Sequence, residues 1–233
     1  MGIRHPNPKM NSGPKPTLAL SNRFYQMDWF YRAGWVLLRA VFRVWFHLRV
    51  DGLEFVPKTG GAIIASNHAS YLDPPLIGAA LHRPVAYLAK KSLFRFKPFG
   101  WLIAQLNAVP LEREKATAAG LRTAIELLEA GVAVVLFPEG TRTPNGSLQS
   151  GKPGAGVIAL RSNVPVIPTR IKGSFEAMPR GSCFPKPTPI SISFGRPVAL
   201  DDLRAAANEA PQKAFKSLCQ AASDRIMASI ANL

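Results

Sequence analysis

The run Asn67-His68-Ala69-Ser70-Tyr71-Leu72-Asp73 holds a histidine and an aspartate five positions apart, directly after an apolar stretch. On one continuous helix those two side chains would stand about 140° apart and could not meet. Asp73 is followed by Pro74, and Asp-Pro reads as a helix start. The expectation is therefore a turn at His68 and a helix opening at Asp73, with the two side chains folded together. A carboxylate on one ring nitrogen fixes the imidazole tautomer and leaves the other nitrogen to accept a proton. That is the pair needed to take a proton from an alcohol. Singly, the residues say less: a lone histidine is as often a core or capping residue, and a lone Asp73 would be a plain helix cap.

A second chemical segment is Phe137-Pro138-Glu139-Gly140-Thr141-Arg142, at the end of the apolar run 132–137. Loops at the carboxyl ends of parallel strands are where α/β folds bind ligands. Gly140 lets backbone approach a ligand closely, and Arg142 can grip a phosphate with two parallel donors. Other patterns are weaker. Gly146 to Lys152 matches G-x4-G-K, but Pro153 replaces the magnesium-binding Ser or Thr, and no strand directly precedes it. No G-x-S-x-G nucleophile elbow occurs. The four histidines, His5, His47, His68 and His82, form no ligand cluster, so no metal is expected. The block Lys90 to Lys97 is basic with interleaved aromatics. Its place between the chemical segments favours an anionic partner such as lipid headgroups over nucleic acid.

The elements that must position these residues alternate as α/β. Strands are expected at 53–56, 61–65, 85–88, 107–111, 132–137, 166–171 and 190–194. Helices are expected at 75–81, 116–130 and 154–161, and over an amphipathic C-terminal stretch marked by Phe215, Leu218, Ala222, Ile226 and Ile230. The fold class is α/β: a mixed, largely parallel sheet flanked by helices.

The chain has 233 residues, 47% hydrophobic and 18% charged, with a net charge of +15. That composition excludes a disordered chain and points to an anionic surface. Cys183 and Cys219 make no disulfide framework, which favours a reducing compartment. Residues 1–20 are proline-rich without an apolar centre and read as a disordered tail, not a signal peptide. Residues 21–48 read as an amphipathic helical segment. From Phe24 to Leu48 the charges, Asp28, Arg32, Arg39 and Arg43, fall within about 60° on a helical wheel, and the rest is apolar and aromatic. No uncharged run reaches the ~20 residues of a spanning helix, so the segment suits the membrane interface. Residues 49–233 then form one catalytic domain.

Together these blocks resemble a known family. NHASYLD is similar to the H-x4-D motif of the glycerolipid acyltransferases, and FPEGTR to their glutamate-glycine motif. Val109-Pro110-Leu111-Glu112-Arg113 resembles the arginine-bearing block between them, and Val164-Pro165-Val166-Ile167-Pro168 the proline block that follows. The resemblance covers residues 50–174 and is best to the bacterial 1-acylglycerol-3-phosphate O-acyltransferases. It implies His68 as general base and Asp73 as its orienting carboxylate. It also implies that Glu139, Gly140, Thr141, Arg142 and Arg113 bind the acceptor's phosphate. Of these blocks, the one carrying Glu112 and Arg113 departs most from the family's pattern. Asn67 or Lys90 is a possible oxyanion or headgroup contact. The implied reaction moves a fatty acyl group from acyl-CoA or acyl carrier protein, as co-substrate and without a cofactor, to the sn-2 hydroxyl of lysophosphatidic acid. The setting expected is anionic lipid at the cytoplasmic face of the membrane, with monotopic or peripheral attachment. Another lysophospholipid or aminolipid acceptor, or a non-catalytic basic membrane-binding protein, are the competing expectations.

Overall fold

In the computed structural model, the described residues are 29–90, 95, 108–111 and 116–233. The expected tail, the start of the N-terminal segment with Asp28, most of the basic block and Arg113 lie outside them. The described strands are β1 (Arg49–Asp51), β2 (Ala62–Ser66), β3 (Val85–Lys90), β4 (Ala108–Leu111), β5 (Ala133–Leu136), β6 (Val166–Lys172) and β7 (Ser191–Phe194). They form one seven-stranded sheet in the order β1-β7-β6-β2-β5-β3-β4. All neighbours are parallel except β6 and β7. Central β2 is Ala-Ile-Ile-Ala-Ser and buried throughout, as a strand covered on both faces must be.

Side chains alternate to two cores. Ile63, Ala65 and Val134 point to one face, covered by α3 (Ala116–Glu129), α4 (Pro153–Arg161), α6 (Asp201–Glu209) and α7 (Gln212–Ala231). Ile64, Val135 and Ile167 point to the other, covered by α1 (Trp29–Trp45), α2 (Asp73–Ala80) and the single turn α5 (Ser174–Ala177). The tightest helix contact is between α4 and α7. A Cβ on Gly156 would lie 1.8 Å from the Cys219 carbonyl oxygen, so only glycine lets the backbones approach. The Ser223 hydroxyl, on α7, accepts from the Gly156 N–H at 2.9 Å and donates to the Lys152 carbonyl at 2.7 Å. This fixes the start of α4 and with it the end of the 138–152 loop.

Most expected elements stand with ends shifted by a residue or two. Residues 53–56 do not: Leu53–Phe55 is a 3₁₀ turn, entered through Gly52 at φ 75°. The edge strand there is β1 instead, pairing with β7 at Arg49–Ser191. A three-residue strand has too little alternation to signal itself.

The N-terminal helix is docked by its aromatic edge. Phe42 and Phe46 are buried in the second core, and the Trp35 indole N–H donates to the carbonyls of Gly78 and Leu81 at 3.0 and 3.1 Å. Its outward face carries Val36, Leu37, Val41, Val44 and Trp45, with Val44 77% exposed. Arg39 does not face outward. It is half-buried, 3.2 Å from the His82 ring and 5.0 Å over Trp35. No helix among the described residues is long and apolar enough to cross a membrane.

Candidate active site

His68 follows β2 by two residues, in the turn that leads into α2. Its Nδ1 lies 2.9 Å from Asp73 Oδ2. The turn brings the two together as its spacing suggests, but the helix-cap reading of Asp73 is corrected. Leu72 is the N-cap, and no side chain caps α2. Asp73 Oδ2 instead reaches back and accepts the N–H groups of Ala69 and Ser70 at 2.6 and 2.7 Å. One oxygen thus shapes the turn and orients the imidazole. Asp73 Oδ1 is buried with no partner among the described residues. The His68 ring stacks on Phe137 at 4.0 Å between centroids. The Ser70 hydroxyl is committed to the Met178 carbonyl at 2.8 Å, so it is not presented as a nucleophile.

Glu139 joins the two loops. Its Oε1 accepts the His68 backbone N–H at 2.9 Å and its Oε2 the Gln149 N–H at 3.2 Å. The Thr143 N–H donates back to the His68 carbonyl at 2.9 Å. A carboxylate occupied by two amides is a clasp between loops, and its charge repels a phosphate, so a direct phosphate contact from Glu139 is corrected to a positioning role. Burial pushes its carboxyl above the usual 4.5, with the two amide bonds opposing that shift. The clasp therefore takes up its proton at a higher pH than an exposed glutamate does.

Asn67 is buried and tied to a neighbouring strand. Its amide nitrogen donates to the Ile171 carbonyl at 3.0 Å and its oxygen accepts the Ile171 N–H at 2.8 Å. These two bonds tie the turn to β6 and use the oxygen and one of the two amide N–H donors. Thr141 is exposed in the glutamate-glycine turn and Gly140 adopts φ 67° there. Lys90 ends β3; its side chain and Arg113 are outside the description.

Arg142 lies over the Tyr71 ring, 3.5 Å from guanidinium carbon to centroid. Such contacts contribute about 0.5–2 kcal/mol. Tyr71 is three residues from His68, so the arginine is held against the same turn that carries the base. Sequence reasoning did not single out Tyr71 as the arginine's platform; its exposed aromatic character inside a polar turn was the available signal. Arg142 Nη1 is buried and has no partner among the described residues, leaving a donor for an anion.

A histidine oriented by a carboxylate lies at the carboxyl end of a parallel sheet, on the same turn as the tyrosine that holds an arginine with an unmet donor. Such an arrangement can accept a proton from a hydroxyl and offer a hydrogen bond to an anion. The comparisons agree on the family: residues 47–172 match the Acyltransferase family, over half the chain, and the chain belongs to it.

The chain is 34% identical over 140 residues to the chloroplastic 1-acyl-sn-glycerol-3-phosphate acyltransferase LPAT1 of Arabidopsis thaliana, covering 59% of this chain and 39% of that protein. It is 33% identical over 127 residues to the 1-acyl-sn-glycerol-3-phosphate acyltransferase of Bacillus subtilis, covering 54% of this chain and 63% of that one. The chain thus spans less than two thirds of these relatives. Among solved structures it is similar to the 1-acyl-sn-glycerophosphate (LPA) acyltransferase PlsC of Thermotoga maritima. The TM-score is 0.67 at 27% identity, covering 93% of this chain and 88% of that one.

Proposed function

We propose that this chain transfers a fatty acyl group from a thioester donor, acyl-CoA or acyl carrier protein, to the sn-2 hydroxyl of lysophosphatidic acid, forming phosphatidic acid. The observation that carries this reading is the His68–Asp73 contact of 2.9 Å beside an arginine with an unmet buried donor. The relatives named for this activity support the choice of acceptor. His68 Nε2 takes the proton as the glycerol oxygen attacks the thioester carbonyl. Asp73 stabilises the imidazolium as it forms. The tetrahedral intermediate then collapses, the carbon–sulfur bond breaks, and the proton returns to the departing thiolate. The transfer is direct and uses no resident cofactor.

Arg142 holds the acceptor's phosphate while its hydroxyl faces His68. A bidentate arginine contact is not reproduced by lysine, which offers a point charge. A charge-assisted hydrogen bond contributes about 1.5–3 kcal/mol, so Arg142→Lys should raise KM for lysophosphatidic acid about tenfold or more. KM for the acyl donor should stay nearly unchanged, and the preference over an uncharged monoacylglycerol should narrow. Steady-state kinetics with both acceptors test this. A donor-only defect places Arg142 in the carrier groove instead, and absence of acyl transfer to any lysophospholipid by the wild type sinks the proposed activity.

The outward face of α1 supports work at a lipid surface. Its apolar residues point away from the domain while its aromatic edge is already satisfied by the core. Trp45 and Leu37, 49% and 67% exposed, would enter the interface. Removing the whole segment would strip Phe42 and Phe46 from the core, so the informative change is on the outer face. Leu37→Glu combined with Val44→Glu should weaken cosedimentation with anionic liposomes by about tenfold or more, given about 1.5–3 kcal/mol per buried aliphatic side chain. Undiminished sedimentation would place the anchor elsewhere, such as the basic block around Lys90–Lys97.

A further inference from the structure

The G-x4-G-K stretch fails as a nucleotide loop, yet the fold gives its lysine a definite place. Lys152 immediately precedes α4, and its backbone is held on three sides. Its N–H donates to the Pro138 carbonyl at 2.8 Å, and its carbonyl accepts from Ala155 N–H at 3.1 Å and from the Ser223 hydroxyl at 2.7 Å. From this anchored base the side chain crosses Gly140. A Cβ built on that glycine would lie 3.0 Å from Lys152 Cδ and 3.3 Å from its Nζ. Gly140 is favoured by its left-handed φ, and its lack of a Cβ lets the lysine stem lie against it.

The ammonium itself is uncommitted. Lys152 is exposed and makes no ion pair or side-chain hydrogen bond among the described residues. Glu139, next in sequence to Gly140, already gives both oxygens to backbone amides. A lysine with a rigid backbone, a packed stem and a free head is placed for a ligand. Two residues beyond Gly140, Arg142 carries its unmet buried nitrogen. The 138–152 loop thus carries two cationic groups with donors to spare. A phosphate monoester offers up to two negative charges and three acceptor oxygens. A guanidinium engages two of those oxygens at most in a bidentate contact, leaving charge and acceptors for a second cation.

We propose that Lys152 is a second cation of the acceptor-phosphate subsite, reaching the phosphate over Gly140 and making the site selective for a phosphate monoester. The inference rests on the proposed acylation of lysophosphatidic acid, so binding and turnover are measured separately. Lys152→Met keeps the stem that packs on Gly140 and removes the charge; Lys152→Arg restores charge. Isothermal titration of lysophosphatidic acid in neutral detergent micelles should show about tenfold weaker binding for Lys152→Met, largely recovered in Lys152→Arg. Monoacylglycerol binding should be unchanged, as should the melting temperature. In the acyl-transfer assay the same variant should raise KM for lysophosphatidic acid about tenfold with kcat within about twofold.

Equal binding of lysophosphatidic acid by wild type and Lys152→Met overturns the inference, whatever the turnover. So does a fall in kcat with unchanged binding, which would make Lys152 a support for the Glu139 turn only. Wild-type protein that binds lysophosphatidic acid through Lys152 but does not acylate it would leave the inference standing and remove the activity.

Discussion

His68→Ala should lose turnover by about 10²–10⁴-fold, the contribution of a positioned general base, while remaining folded. The imidazole contributes the contact to Asp73 and the stack on Phe137. The turn itself is held by main-chain groups that alanine keeps: the His68 N–H to Glu139 and the His68 carbonyl from Thr143. Its side chain is 19% exposed, so truncation opens a site that already meets solvent and leaves no sealed cavity. Turnover of the purified variant, with a thermal melt beside it, is the measurement. Retention of more than about a tenth of the wild-type rate would remove the general-base role, because that role's effect begins at roughly a hundredfold.

The sheet was legible because its central strands are continuous apolar runs. Ala133–Leu136 and Ala62–Ser66 are each bounded by polar or turn residues, and strands buried on both faces must read that way. The dyad was legible because five-residue spacing before a proline permits few geometries other than a turn into a helix. What stayed hidden were roles decided by partners remote in sequence. Asn67 meets Ile171 across 104 positions, and nothing local tells a buried tie from an oxyanion donor. Glu139 reads as a site residue by its neighbours, yet its two oxygens are taken by backbone amides 71 and 10 positions away. Lys152 sat in a stretch dismissed for its proline. Its meaning came from the 138–152 loop folding back so that the lysine lies on Gly140. The N-terminal helix shows the same limit. Its basic stripe was visible, but that Arg39 would turn against His82 and leave aliphatic residues outermost depended on how α1 docks on α2.

Asp73→Asn should be nearly as damaging to turnover as loss of the histidine, about 10²-fold, and unlike His68→Ala it should also destabilise. Asp73 Oδ2 accepts three N–H groups at once, from His68 Nδ1, Ala69 and Ser70. If the new amide places its oxygen there, those three bonds keep their geometry. Its NH₂ then takes the position of Oδ1, buried and without a partner among the described residues, at a cost of about 1–3 kcal/mol. If the amide flips, the NH₂ faces three donors, which is worse. Either way the negative charge that stabilises the imidazolium in the transition state is gone. The side chain of Asp73 is fully buried, so water cannot substitute for it. Turnover and melting temperature measured on the same preparation separate the two roles. A fall in both is expected. A lower melting temperature with turnover intact would reduce Asp73 to the scaffold of the turn, and lost turnover at an unchanged melting temperature would mean that the buried NH₂ carries no penalty at the Oδ1 position.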